Sequence, residues 1–169
     1  LGDVYKRQDW DWRLLASQVY QESRFNPSAT AWTNARGLMQ LMPNTAEELG
    51  VMDPENPEES LKGGVRYLKQ LSAAFERIPD STDRIKFTLA AYNCGLGHVE
   101  DARRLAASRG LDPNCWEDNV DQVILGLSYP KNYNDPLVQY GYLRGIEPYR
   151  YVRQILERYR HYASFVPSG

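Results

Sequence analysis

Glu22 is the residue whose type and position point most directly to chemistry. Trp12, Leu15, Val19 and Glu22 follow the i, i+3, i+7, i+10 spacing of one helix face. The carboxylate therefore falls on an apolar stripe, where glutamates are rare unless paired or used. Burial disfavours the charged form and raises a carboxyl pKa. The helix is expected to stop just beyond, at Asn26-Pro27, because a residue before proline avoids the α region. The negative end of the helix dipole then acts on Glu22 in the same direction as burial. A carboxylic acid held protonated near neutral pH is a general acid. The same pattern also suits a helix-end glutamate bonded to the backbone or to an arginine, since perturbed carboxylates serve structure as well.

Other reactive groupings are sparse. No second Asp or Glu lies in the Glu22-Ser23 or Gly37–Gln40 stretches. Cys94 and Cys115 are too far apart to make a metal site, and His98 and His161 do not complete one. The two cysteines suit either a single disulfide in an exported protein or two free buried thiols.

The elements that position these residues read as helices. Asp9 or Asp11 caps the first, which runs to about Arg24. A polar loop from Asn26 to Arg36 leads into Gly37-Leu38-Met39-Gln40-Leu41-Met42-Pro43. A short helix over about Asn44 to Gly50 and a longer one over about Pro57 to Arg77 follow. The longer one buries Leu61, Val65, Leu68, Leu71 and Phe75. Its Gly63-Gly64 pair costs ~1 kcal/mol per glycine relative to alanine, which points to close packing against another helix or to a kink. Ser81 or Thr82 caps the next helix, which ends at Asn93-Cys94-Gly95. Further helices are expected over about His98 to Arg109, Trp116 to Gly126 and Pro148 to Phe165. The Tyr129–Gly145 stretch between the last two is irregular and aromatic. No convincing alternating strand occurs, so the reading is one all-α domain of roughly seven or eight helices.

Composition narrows the function. The chain has 169 residues, 42% hydrophobic and 25% charged, which suits one domain with a real core. Its net charge of −2 gives no electrostatic case for nucleic acid. No apolar run approaches the ~20 residues of a membrane span. Twelve Tyr and four Trp are many for this length; aromatics of this kind line sugar-binding grooves or fill cores and surfaces.

Four patches stand together: Glu22-Ser23 with Asn26-Pro27, Gly37 to Pro43, Ala90-Ala91-Tyr92-Asn93-Cys94-Gly95, and Tyr151-Val152. In this order and spacing the chain resembles the catalytic domain of the soluble-type lytic transglycosylases. The final helix and the Tyr-rich stretch before it are most similar to the membrane-bound lytic transglycosylase F branch. The resemblance covers about Asp9 to Phe165. Residues 1–8 are set apart as a non-native or disordered leader, and 166–169 as a tail.

The resemblance implies a lysozyme-like helical fold with a substrate cleft. It implies cleavage of the bond between N-acetylmuramic acid and N-acetylglucosamine in peptidoglycan, with 1,6-anhydromuramyl products. Glu22 is then the single catalytic glutamate. Ser23 is expected to hydrogen-bond near the acid or to make a local bond at the helix end. Gln40 and the backbone around Met39 match positions that contact sugar, although Met39 also suits plain core. Tyr92 and Asn93 match a tyrosine-asparagine pair at the reacting sugar, with a helix-end cap as the other role for Asn93. Tyr151 matches a tyrosine lining the same cleft, and Glu147 an acidic position just before it. Thr33 stands where relatives often carry serine, and Cys94 where alanine is common. An arginine expected two residues before Tyr151 is replaced by Tyr149, with Arg150 adjacent, so what holds Glu147 is open.

The resemblance calls for no metal or organic cofactor. Its partners are peptidoglycan glycan strands and, in the longer proteins of the F branch, a regulatory N-terminal solute-binding-like domain. It implies the periplasm or cell envelope, with outer-membrane association. A goose-type lysozyme hydrolysing the same bond and a non-catalytic peptidoglycan-binding module are the alternatives.

Overall fold

The computed structural model describes residues 10–166. The expected leader, the alternative cap Asp9 and all of the tail except Val166 lie outside them. The described helices are α1 (Trp12–Ser23), α2 (Pro43–Glu48), α3 (Pro57–Ala73), α4 (Ser81–Cys94) and α5 (Leu96–Ser108). After a π-type turn (Trp116–Val120) come α6 (Asp121–Gly126), α7 (Pro130–Tyr133) and α8 (Ile146–Phe165). Extended pairing among the described residues is confined to the isolated bridges Thr30–Arg36 and Arg36–Leu41. The all-α expectation holds.

Several helix ends differ from the sequence reading. Asp11 caps α1, its Oδ1 accepting from the Arg13 N–H at 2.9 Å. The far end falls where the helix was expected to run out, at about Arg24, ahead of Asn26-Pro27. Arg24 adopts a left-handed cap (φ 52°, ψ 38°), and its N–H closes on the Tyr20 carbonyl at 3.0 Å. Asp80, not Ser81 or Thr82, caps α4 by accepting from the Asp83 N–H at 2.8 Å. An Asp one residue earlier reaches the orphan donors as well as a hydroxyl does. The single helix expected over Trp116 to Gly126 is broken, because Glu117 is extended and Asp118 has φ 57°. The irregular 129–145 stretch contains the one-turn α7, with Pro130 in its first turn.

The chain packs as two compact units, with α3 and α8 each contributing to both. The first comprises residues 10–67 and 154–166. Its core includes Leu15, Val19, Leu38, Met39, Leu41 and Val65. Gly63 and Gly64 are buried here, but their close partners are not another helix. A Cβ on Gly63 would lie 2.4 Å from Val51 Cγ2, and one on Gly64 would lie 2.6 Å from Met39 Cγ and Cε. The glycine pair lets the loop carrying Met39 and Leu41 lie directly on the α3 backbone.

The second unit, Leu68–Arg153, is built on aromatic packing. Phe75 and Phe87 are 5.5 Å apart, and Phe87 meets Trp116 edge-on at 5.4 Å. The Arg103 guanidinium covers both phenylalanine rings, at 5.8 and 5.5 Å. Its nitrogens bond Pro113 O, Glu100 and Asn114, so the cation is satisfied while its flat face seals the core.

Candidate functional site

Glu22 occupies the last turn of α1. Leu15 and Val19 on the same face are buried, but Glu22 is only half-buried. It sits at the rim of the stripe, not within it. Helical side chains lean toward the N-terminus, so the face over Glu22 would be covered by the next turn, and α1 ends at Ser23. A carboxylate in this position shares an apolar flank and remains reachable by a ligand.

The chain beyond Glu22 is turned by two consecutive left-handed residues, Arg24 (φ 52°) and Phe25 (φ 63°). Each non-glycine residue in this region costs about 1–2 kcal/mol. The turn is held by Asn26 N–H to Ser23 O at 3.0 Å and by Asn26 Oδ1, which accepts from the Ser28 N–H at 3.1 Å. Strain of this kind collects at functional sites. The sequence offers no glycine to signal it.

Ser23 is buried, and its Oγ donates to Val19 O at 3.2 Å, the local helix-end bond. Thr33 is exposed in a turn closed by Asn34 N–H to Ala31 O at 2.9 Å. Beside it Trp32 is 95% exposed, an aromatic that the sequence reading left inside a polar loop. Met39 is fully buried against α3, with its N–H donating to Ser60 Oγ at 3.2 Å. The burial takes in its backbone as well as its side chain, which fits the plain-core role and not a contact with sugar. Gln40 is half-buried with φ 48°, and its Nε2 donates to Ala29 O at 3.0 Å and Gly37 O at 2.9 Å. Its amide braces the loop from within, and its Oε1 makes no hydrogen bond to the described residues.

Gly37 carries that loop past a neighbouring backbone. Its φ is +78°, and a Cβ there would lie 1.7 Å from Pro54 O. Both facts exclude any other residue without a shift of backbone. A cavity of about 640 Å³ nearby is bordered by Arg36, Leu41, Glu47, Val51 and Met52 but not by Glu22.

The remaining candidates belong to the second unit. Tyr92 and Asn93 occupy the last turn of α4, Tyr92 half-buried and Asn93 exposed. The Gly95 N–H, donating to Ala91 O at 2.8 Å, caps this helix. Tyr151 is buried on α8. Glu147, in the first turn of α8, is exposed and accepts from Arg144 Nη1 at 3.0 Å. Its arginine thus comes from three residues earlier, while Tyr149 pairs with Arg153.

Asp101 is a residue the sequence reading passed over. It is fully buried, pairs with Arg104, and accepts from the Gln139 N–H at 2.9 Å and the Tyr140 N–H at 2.7 Å. It pins the Tyr-rich stretch, leaving Tyr129, Tyr140 and Tyr142 exposed. Its signal, an Asp amid the buried Val99, Ala102 and Leu105 of α5, was present in the sequence. Cys94 and Cys115 are free thiols, and burial pushes Cys94 up to about 12.

The sequence pattern of the Transglycosylase SLT domain matches residues 4–113. The chain belongs to the transglycosylase SLT domain family. The SLT match takes in Glu22, Ser23, Thr33, Met39, Gln40, Tyr92 and Asn93 and stops short of Glu147 and Tyr151. A protein of Maricaulis maris named membrane-bound lytic murein transglycosylase F is 48% identical over 151 residues, 88% of this chain and 32% of the relative. Proteins of the same name from Desulfosudis oleivorans and Stutzerimonas stutzeri are 43% and 46% identical, over 90% and 93% of this chain and 33% and 32% of the relatives. The chain thus spans about a third of the length of these curated relatives. Among solved structures, the 70 kDa soluble lytic transglycosylase of Escherichia coli superposes with a TM-score of 0.59 at 21% identity. The overlap covers 99% of this chain and 24% of that one. This likeness bears out the all-α, lysozyme-like expectation for the SLT domain.

Proposed function

We propose that this SLT domain is a peptidoglycan lytic transglycosylase, a lyase that cleaves the β-1,4 bond between N-acetylmuramic acid and N-acetylglucosamine without water. The observation that carries this reading is a reachable, apolar-flanked Glu22 ending α1 ahead of a strained turn, in a chain of the SLT family. The names of the relatives support it.

Protonated Glu22 donates to the leaving oxygen of the glycosidic bond. The muramyl N-acetyl oxygen stabilises the positive charge developing at the anomeric carbon, as in substrate-assisted glycosidases. Glu22, now a carboxylate, takes the proton from the muramyl C6 hydroxyl, whose oxygen closes onto the anomeric carbon. One carboxylate suffices because the nucleophile is tethered, and an intramolecular attack replaces a bimolecular one. No water is consumed, and Glu22 returns to its protonated state.

Other residues are assigned to the glycan. Thr33, and Gln40 through Oε1, contact sugar. Ser23 supports the end of α1 through its bond to Val19. Tyr92, Asn93, Tyr151 and the Arg144-held Glu147 are assigned substrate contacts by the resemblance.

The relatives' names contain "membrane-bound", which supports placement in the cell envelope, in the periplasm and associated with the outer membrane. No helix among the described residues is long and apolar enough to cross a membrane. The relatives' greater length leaves room for a regulatory N-terminal solute-binding-like domain in the full protein.

Mass spectrometry of muropeptides released from purified sacculi tests the reading. Anhydromuramyl ends that vanish in Glu22→Gln are the expected result. Reducing ends would place the domain with the goose-type lysozymes, and no release by a folded domain would make it a binding module.

A further inference from the structure

His98 stands in the first turn of α5, in the second unit. The residue is half-buried, and its Nδ1 is buried with no hydrogen-bond partner among the described residues. Its ring meets Tyr140 edge-on, with centroids 5.9 Å apart and planes inclined by 61°. Tyr140 also lies on the helix itself, since a Cβ on the neighbouring Gly97 would be 2.4 Å from Tyr140 Cζ. The Tyr140 ring is thus held against α5 at Gly97 and His98, although the residue is 62% exposed. The main chain around it is fastened separately. Asp101 accepts the Gln139 and Tyr140 N–H groups, and Arg104 Nε donates to Leu137 O at 3.2 Å.

This packing suits a neutral imidazole. Unprotonated, Nδ1 is an acceptor left unused. In the imidazolium it is an N–H donor, and here it would be buried without an acceptor. The first turn of a helix also disfavours a cation. Burial holds the His98 imidazole below its ordinary pKa, and the Asp101 carboxylate acts the other way. That carboxylate is already taken up by Arg104 and the two N–H groups. The Tyr-rich stretch faces His98 with the Tyr140 phenol. α4, the π-type turn and α6 also pack on α5, and no charged group of theirs among the described residues acts on His98. A proton on Nδ1 is therefore accommodated when the imidazole turns toward water, which ends its contact with Tyr140.

We propose that His98 is a pH-sensitive latch on Tyr140: the neutral imidazole keeps the ring on the first turn of α5, and protonation frees the ring while Asp101 and Arg104 keep the main chain attached. The latch is complete above about pH 6.5, the ordinary histidine value, and is lost as pH falls through the lowered value of the latched form. The inference does not rest on the transglycosylase reading of Glu22.

The test is an NMR titration of the chain from about pH 8 to about pH 4.5, following the His98 imidazole, the Tyr140 ring and the buried Phe87 ring. The Tyr140 resonances should move with the His98 midpoint, which should lie below about 6.5, while those of Phe87 stay unchanged. His98→Phe keeps an aromatic ring, removes the site of protonation, and should abolish the pH response of Tyr140. Tyr140→Ala opens the cover over His98 and should raise its midpoint toward the ordinary value, because the coupling is reciprocal. Tyr140 resonances that ignore the His98 titration would overturn the proposal. So would a response that survives in His98→Phe, an unchanged midpoint in Tyr140→Ala, or Phe87 moving in step with Tyr140, the sign of unfolding as a whole. None of these readouts needs bond cleavage, so they stand apart from the test of Glu22.

Discussion

A Cβ on Gly64 would lie 2.6 Å from the Cγ and Cε of Met39 and 2.9 Å from its Cβ. The close approach of α3 to the Met39 loop explains why a glycine pair persists inside a helix. Alanine would gain about 1 kcal/mol in helix propensity. Overpacking costs about 1–3 kcal/mol, and here the clash reaches Met39 Cβ, which cannot swing away as a methionine tip can. Gly64→Ala should therefore destabilise by about 1 kcal/mol or more in urea denaturation. A stabilised variant would mean that the loop yields freely.

Glu22→Gln keeps the size of the side chain and removes its proton chemistry. General acid-base catalysis contributes roughly 10²–10⁴-fold, and Glu22 is assigned both proton transfers. Turnover of sacculi should fall by at least about 10²-fold, with a melting temperature close to that of the parent. Comparable turnover in the variant would remove Glu22 from the mechanism.

Gln40 has a left-handed backbone and two side-chain bonds that brace its own loop. Gln40→Ala loses both bonds and keeps the strain. Gln40→Gly loses both bonds and relieves it. The glycine variant should be the more stable of the two by about 1 kcal/mol, and both should bind glycan less well than the parent. Equal stability would show that φ 48° costs little at this position.

Asp11 joins the start of α1 to α8, accepting from Arg13 and from the Tyr159 hydroxyl at 2.9 Å. The Arg13 side-chain hydrogen bond holds the Asp11 carboxyl below its ordinary value, with the Arg13 N–H and Tyr159 adding to the effect against burial. The folded state thus takes up this proton less readily than the unfolded chain. The contribution to stability is complete above about pH 4 and is lost as pH falls through the lowered folded-state value. Asp11→Ala should cost about 1 kcal/mol at neutral pH, the worth of an N-cap, and the difference from the parent should shrink in acid. Paired melts at pH 7 and pH 3 measure it.

Cys94 and Cys115 are free thiols, and burial raises both above the ordinary thiol value, Cys94 to about 12. A thiol with that pKa carries almost no thiolate at pH 8. Iodoacetamide mapping of the native chain should label Cys115 well before Cys94, and reduction should leave the intact mass unchanged. Faster labelling of Cys94 would show that its shell opens readily.

Much of the architecture follows from local physical chemistry and was legible in the residues. Helical spacing located α1, α3 and α8, since the buried stripes of Leu15-Val19, Val65-Leu68-Leu71 and Val152-Ile155 need only a 3.6-residue period. Asp11 and Gly95 marked a helix start and a helix end because capping is a property of a few neighbouring residues. The wheel position singled out Glu22 with a structural role equally open, and the resemblance gave it the catalytic one.

Tertiary structure decided what depends on partners distant in sequence or on backbone geometry without a residue signature. The left-handed Arg24, Phe25 and Gln40 have side chains that ordinarily avoid that region, so nothing local announces them. Whether Gly63-Gly64 meant a kink or a close approach depended on Met39 and Val51 arriving at the α3 backbone. Asp101 lies among the apolar residues of α5, but what it binds, the backbone of Gln139 and Tyr140, is brought to it only by the fold. The half-exposure of Glu22 was settled by where α1 stops, which rests on the cap at Arg24 and not on the proline that the sequence displays.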